Sequence, residues 1–177
     1  MKLFLVILIG MMVNTSDKTI YDFSKNDNSS GWQVINDGVM GGMSQGQLKV
    51  NSDGKGVFYG YVSLENNGGF SSVRYQFEQL DVRSYSTAVI RLKGDGKRYQ
   101  FRVKSHREDK HAYIQYFNTT GDWQLIEVDL GRMYPTFRGR QLNMPNYPAN
   151  KLEEVAFLIA NKRAEAFQLE IDYIRLR

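Results

Sequence analysis

Two glycine-rich stretches constrain this chain most: Asn36-Asp37-Gly38-Val39-Met40-Gly41-Gly42-Met43-Ser44 and Ser63-Leu64-Glu65-Asn66-Asn67-Gly68-Gly69-Phe70-Ser71-Ser72-Val73-Arg74. A glycine-rich loop cradles phosphate when a helix N-terminus follows it. Neither stretch leads into a helix. Residues 45–50 read as turn and strand, and residues 70–77 alternate as a strand does. The glycines are therefore backbone devices of a β protein, supplying positive φ and close approach. They argue against a nucleotide-binding enzyme.

The rest of the chain keeps the same period of two. Residues 57–65 and 70–78 flank Asn66-Asn67-Gly68-Gly69, which predicts a hairpin. Residues 87–93 and 98–106 flank Gly94-Asp95-Gly96-Lys97, which predicts a second. Residues 111–118 follow the polar turn 107–110, residues 122–130 follow Thr119-Thr120-Gly121, and strands at 155–160 and 167–176 close the chain. Residues 131–150 break the pattern and hold all three prolines, Pro135, Pro145 and Pro148. A connection this long either carries function or covers a sheet edge. Many short strands with regular turns predict an all-β chain folded as a single jelly-roll β-sandwich. The 11 Tyr and 10 Phe suit its pleated surfaces.

No cysteine is present, which excludes disulfides, thiolate catalysis and cysteine-ligated zinc. The formal charge of +4 is compatible with an anionic partner and with simple solubility. Met1-Lys2 precedes an almost wholly apolar run at 3–13, then Asn14-Thr15-Ser16-Asp17. One basic residue before a short apolar run is the grammar of a signal peptide. The run is short for a bilayer span, lacks the arginines of a mitochondrial transit peptide, and has no lipoprotein cysteine after it. Residues 1–16 are expected to be a signal peptide and 17–177 the folded domain, exported to the periplasm or outside the cell.

The clearest chemical pattern is a basic strand face. In 98–106 the even positions are Arg98, Gln100, Arg102, Lys104 and His106, and the odd ones are Tyr99, Phe101, Val103 and Ser105. Alternation puts the first set on one face and the second on the other. With a four-residue loop at 94–97, Lys93 lies opposite Arg98 and Arg91 opposite Gln100. With another at 107–110, His106 faces His111, Lys104 faces Tyr113 and Arg102 faces Gln115. One surface would then carry Arg91, Lys93, Arg98, Arg102, Lys104, His106, His111 and Tyr113. Such a surface can meet carboxylate, sulfate or phosphate, although a solvated outer face is what alternation ordinarily means. Nucleic acid is not expected for an exported chain of modest charge.

Other constellations are weaker. His106 and His111, with Glu108 or Asp109, supply zinc-type ligands, but no third ligand has a defined spacing, so no metal or other cofactor is expected. Asp37, Glu65 and Asp172 are carboxylates of the kind a glycosidase pairs, yet Asp37 reads as half of an Asp-Gly turn and Glu65 as the start of the Asn-Asn-Gly-Gly turn. Arg74, Arg138 and Arg140 suit bidentate pinning of loops to carboxylates or carbonyls. Arg138 and Arg140, in the long connection, also suit a partner-binding loop. Trp32 and Trp123 read as core or rim aromatics.

Taken together, Trp32, the stretch 36–44, the stretch 62–74, Gly121-Asp122-Trp123, Pro135-Thr136-Phe137-Arg138-Gly139-Arg140 and Phe167-Gln168-Leu169-Glu170-Ile171-Asp172-Tyr173-Ile174 resemble the complex I intermediate-associated protein 30 family. The resemblance covers nearly all of the chain beyond the apolar run. It implies a galactose-binding-like jelly roll, a role as assembly factor or chaperone toward respiratory complex I, and no catalytic residues. On it, Asp37, Gly38, Gly41, Gly42, Glu65, Asn66, Gly68, Gly69 and Arg74 form a structural motif. The first expectation is thus a non-catalytic module with a protein partner at a membrane complex. The alternative is a carbohydrate-binding module that grips an anionic polysaccharide through the basic face.

Overall fold

The computed structural model describes residues 17–26 and 29–177; the segment 1–16, read as a signal peptide, lies outside the described residues. The strands run in chain order as β1 (Lys18–Asp22), β2 (Trp32–Asn36), β3 (Gln45–Val50), β4 (Gly56–Val62), β5 (Ser71–Asp81), β6 (Thr87–Lys93), β7 (Arg98–Lys104), β8 (Ala112–Asn118), β9 (Trp123–Asp129), β10 (Tyr134–Phe137), β11 (Arg140–Gln141), β12 (Lys151–Ile159) and β13 (Glu165–Leu176). They form two antiparallel sheets. The front sheet has the order β11-β10-β8-β7-β12-β5-β2. The back sheet has the order β3-β4-β13-β6-β9, with β1 also paired to β13. This is the expected jelly-roll sandwich.

Alternation explains which residues meet between the sheets. On β7, Tyr99, Phe101 and Val103 are buried while Arg98, Arg102 and Lys104 reach outward. Phe157 on the neighbouring β12 lies 5.6 Å from Phe101 between ring centroids and 6.4 Å from Trp32. The back sheet answers with Phe58, Ile90, Leu92, Leu169, Ile171 and Ile174, all fully buried. Each such side chain contributes about 1.5–3 kcal/mol on burial.

Two expected hairpins are not hairpins. β4 lies in the back sheet and β5 in the front, so the segment 63–70 is an arch between layers. β6 lies in the back sheet and β7 in the front, so 94–97 is a second arch. Period two looks the same in both arrangements, because a strand keeps its inward side chains whether it pairs with the next strand or faces it. In the first arch the backbone N–H groups of Gly69 and Phe70 are taken by the Asp37 carboxylate, which ties this loop to the earlier glycine loop. In the second, a Cβ on Gly94 would sit 2.2 Å from the Thr119 side chain, so glycine permits the close crossing.

β7 and β8 do form a hairpin, one residue out of the expected register. Val103, not Lys104, lies opposite Tyr113, and Arg102 lies opposite Ile114. A slip of one residue moves a side chain to the other face, so Tyr113 points inward and is 8% exposed. The turn is longer than four residues because Glu153 on β12 accepts from the Arg107 N–H at 3.0 Å and approaches His106 Nδ1 at 3.3 Å.

The long connection is partly ordered as strand. β10 pairs with β8 and β11 with β10, extending the front sheet to a two-residue edge strand. Further on, Tyr147 is buried against Tyr113, with ring centroids 5.1 Å apart, and its hydroxyl donates to the Lys151 carbonyl at 2.6 Å. The segment therefore covers a sheet edge, one of its two expected uses.

Candidate functional site

The two glycine-rich loops meet on one side chain. Asp37 is 2% exposed. Its Oδ1 accepts from the Ser44 N–H at 3.0 Å, and its Oδ2 accepts from the Ser44 hydroxyl at 2.5 Å, the Gly69 N–H at 2.6 Å and the Phe70 N–H at 3.2 Å. Burial alone would raise its pKa, but the Ser44 hydroxyl and the three amides outweigh burial and hold it below the usual carboxylate value. Gly42 and Gly68 are glycine because a Cβ there would lie 2.3 Å and 2.7 Å from this carboxylate. Gly41 supplies a φ of +88° where the short helical turn over Asp37–Met40 ends. Gly38 has open space beside it. Glu65, Asn66 and Asn67 are exposed, and the Glu65 carbonyl accepts from the Gly68 N–H at 2.9 Å. This constellation closes a loop junction. Four hydrogen bonds, three of them on Oδ2, commit this carboxylate to the junction.

The outward face of the front sheet is different in kind. Register places Arg102 of β7 between Ala156 of β12 and Ile114 of β8, with Tyr134 of β10 beyond Ile114. Arg74 of β5 lies across Ala156 on the other side. A cleft of about 140 Å3 opens here, lined by Gln100, Arg102, Ile114, Tyr116, Tyr134, Thr136, Gly139 and Gln141. Arg102 Nη1 donates to Gln100 Oε1 at 2.7 Å, and Gln100 Nε2 donates to the Tyr116 hydroxyl at 2.9 Å. The Arg98 guanidinium lies over the Tyr116 ring, 4.4 Å from its centroid. Burial pulls the Arg102 pKa below the ordinary guanidinium value, and the field of Glu154 partly offsets this. Burial also raises the pKa of Tyr134, so its phenol stays protonated.

Glu154 is the central carboxylate of this face. It accepts from Gln76 Nε2 at 2.7 Å and has Lys104 and Arg74 each at 3.9 Å. Arg74 also donates from Nε and Nη2 to Gln33 Oε1, at 3.2 and 3.0 Å. It thus pins β5 to β2 through a neutral amide, with Glu154 as its nearby carboxylate.

The remaining expected residues scatter. Arg91 and Lys93 lie on β6 in the back sheet and belong to a different surface. There Arg91 pairs closely with Asp172 and stacks on Trp123 at 4.6 Å, while Lys93 lies 3.9 Å from Glu170. Asp172 also receives Lys55 Nζ at 2.6 Å. Burial raises the Asp172 pKa, but hydrogen bonds from Lys55 and Arg91 hold it below the usual value. His106 turns to Glu153, and His111 packs edge-on against Tyr113 at 5.0 Å. Among the described residues no group of three or more His, Cys, Asp or Glu is placed to hold a metal ion. Arg138 and Arg140 are exposed on the β10–β11 turn, with Arg138 over the Phe137 ring at 5.3 Å. Their turn reaches the cleft through Gly139.

Sequence reasoning missed Tyr116, Tyr134, Thr136, Gln141 and Glu154. Parity would have found Tyr116 once the β7–β8 register was known. Tyr134, Thr136 and Gln141 sit in the stretch read as irregular, so no alternation pointed to their face.

Comparison with known proteins fits this geometry. A model of the complex I intermediate-associated protein 30 family matches residues 21–171. Complex I intermediate-associated protein 30, mitochondrial, of Mus musculus is 23% identical over 180 residues, which covers 89% of this chain and 55% of that protein. The chain thus spans about half the length of the curated relative it matches. Among solved structures, the family 11 carbohydrate-binding module of a cellulosomal cellulase of Clostridium thermocellum superposes with a TM-score of 0.65 at 14% identity, over 91% of this chain and 94% of that one. An agarase superposes with a TM-score of 0.64 at 13% identity, over 92% of this chain and 24% of that one. At such identities the likeness concerns the sandwich alone. The match to the family model is of another kind, since it runs from β1 into β13 and takes in both glycine loops closed on Asp37. The chain belongs to the complex I intermediate-associated protein 30 family.

Proposed function

We propose that this chain is a non-catalytic binding domain that acts as an assembly factor, holding protein partners of a membrane complex, and that it works outside the cytoplasm after export. The observation that carries this reading is the family match over residues 21–171, shared with a mouse protein named for its association with a complex I intermediate. The most heavily hydrogen-bonded carboxylate of the two glycine loops, Asp37, joins those loops to each other, which suits a domain that binds and does not turn over substrate. In-cell cross-linking of the tagged full-length protein, followed by purification and mass spectrometry, tests it. Recurrent subunits of one membrane complex are expected, and the side of the membrane their cross-linked residues occupy tests the export. Absence of any recurrent protein partner would sink the reading.

A second reading, that the domain is a carbohydrate-binding module, is favoured by a specific feature. The front sheet carries an open cleft lined by two tyrosines, two amides, a threonine and an arginine. Aromatic faces beside a few convergent polar groups are the usual composition of a small-molecule site. Binding to a panel of soluble glycans in affinity electrophoresis tests it. Retardation by at least one glycan is expected, and none by any would remove it.

A further inference from the structure

An outward sheet face is ordinarily solvated, yet at the centre of this one Gln100, Ile114 and Thr136 are 7%, 3% and 5% exposed. They are sunk because the neighbouring side chains rise around them. Tyr116 and Tyr134 stand beside the cleft, and Gly139 and Gln141 bring the β10–β11 turn to its rim. Arg102 contributes its guanidinium to this cleft. A guanidinium has five N–H donors and no acceptor. One donor is spent on Gln100, a neutral amide. Among the described residues no carboxylate comes within 4.0 Å of Arg102. Glu154 is held by Gln76 and shared between Lys104 and Arg74. Within 4.0 Å, Arg74 and Lys104 share the Glu154 carboxylate, and among the described residues Arg98 and Arg102 have none.

A half-buried cation held by a neutral partner is under-compensated. Desolvation weakens its hydration, and an anion that reaches it gains more than at an open surface. The rest of the lining says which anion. Gln100, Thr136, Gln141 and the two phenols are neutral hydrogen-bonding groups, matched to hydroxyls, and the tyrosines add ring faces for an apolar ring face. The cleft, about 140 Å3, is smaller than the roughly 300 Å3 at which pockets for free drug-sized ligands begin. That suits one unit of a chain that continues along the sheet.

We propose that this cleft is a subsite for one acidic sugar unit of a glycan, a hexuronate whose carboxylate meets the Arg102 guanidinium while its ring lies against Tyr116 and Tyr134. The inference rests on the carbohydrate reading above and narrows its ligand class. Arg91, Lys93, His106, His111 and Tyr113 take no part, since they lie on other surfaces or inside the core.

The test titrates the full-length purified protein with polygalacturonate, a neutral mixed-linked β-glucan and polyglutamate by isothermal calorimetry at low and high salt. Binding of polygalacturonate that weakens with salt is expected. Arg102→Met should weaken it by roughly tenfold or more, Arg102→Lys should lose most of the same amount because the planar fork is gone, and the distant Arg83→Ala should leave it unchanged. Melting curves establish that each variant is folded, and the lysine variant carries the test if the methionine one is not. Binding of the neutral glucan alone, or polygalacturonate binding untouched by the Arg102 variants, overturns the acidic subsite and leaves the carbohydrate reading standing. Equal binding of polyglutamate overturns the sugar assignment. Binding of neither glycan overturns the acidic subsite, and the carbohydrate reading then falls only if the whole glycan panel also fails.

Discussion

Replacing Asp37 by asparagine changes the chemistry of one atom and almost nothing of the shape around it. The carboxylate accepts four hydrogen bonds in a site that is 2% exposed. Asparagine offers one acceptor oxygen and one NH2 donor. With the NH2 in the Oδ2 position, it confronts the N–H groups of Gly69 and Phe70. With the NH2 in the Oδ1 position, it confronts the Ser44 N–H alone, so this orientation wins. One hydrogen bond is lost outright, a buried donor faces a donor, and the survivors lose charge assistance. A hydrogen bond to a charged group contributes about 1.5–3 kcal/mol, which sets the cost of Asp37→Asn at about 3 kcal/mol. In a chain of this length that corresponds to a fall in melting temperature of roughly 6–12 °C. Titration supplies a second, independent signature. The folded pKa of Asp37 is held below its unfolded value. The stabilisation is therefore complete above about pH 4 and disappears as the pH falls through the folded pKa. Urea titrations at neutral pH and in acid should show a large gap between the two proteins that closes in acid. A gap under about 1 kcal/mol at neutral pH, or one that stays constant into acid, would refute the account of Asp37 as the junction of the two loops.

Five further substitutions have outcomes set by the geometry described above. Gly42→Ala, which places a Cβ 2.3 Å from the Asp37 carboxylate, should cost about 2 kcal/mol in urea unfolding, whereas Gly38→Ala, with open space beside it, should stay within about 0.5 kcal/mol. Asp172→Asn leaves Lys55 and Arg91 without their shared anion. Because Arg91 is partly exposed, the expected loss is only about 1–2 kcal/mol, present at neutral pH and fading in acid since Asp172 too is held below its ordinary pKa. Tyr113→Ala should cost about 3 kcal/mol or more in thermal unfolding, as truncation of a buried aromatic does. Tyr116→Ala, on the outward side of the same strand, should cost only about 1 kcal/mol, from the lost Gln100 hydrogen bond and Arg98 stacking, which separates the two faces of β8 by a single measurement.

How much of this was legible in the sequence depended on whether a pattern is local. The inward set Tyr99, Phe101 and Val103 and the outward set Arg98, Arg102 and Lys104 follow from parity within one strand, and the structure keeps them. Pairing between strands is not local. Asn66-Asn67-Gly68-Gly69 has the composition of a hairpin turn, but the deciding partner, Asp37, lies more than thirty residues away in the chain. The same holds for the basic face. Its membership turned on the length of the 105–111 loop, which is set by Glu153 on a distant strand. One residue of register removed Tyr113 from the surface, and one change of layer removed Arg91 and Lys93. β10 was missed because its run of four residues includes Pro135, and strand propensity counts against proline. The family resemblance succeeded where pairing failed because it compares whole segments and needs no register.

The place of β13 governs how the chain reaches its fold. It sits inside the back sheet, with residues 165–171 against β4, residues 173–176 against β1, and β6 along its other side. Until residue 176 leaves the ribosome, β1, β4 and β6 lack the ladder that joins them. The front sheet meanwhile has a core with nothing to close it. Joining β1, β4 and β6 through β13 is long-range pairing, which is slow. A nascent or truncated chain that ends before β13 presents several bare strand edges at once, the condition under which sheets recruit one another into aggregates.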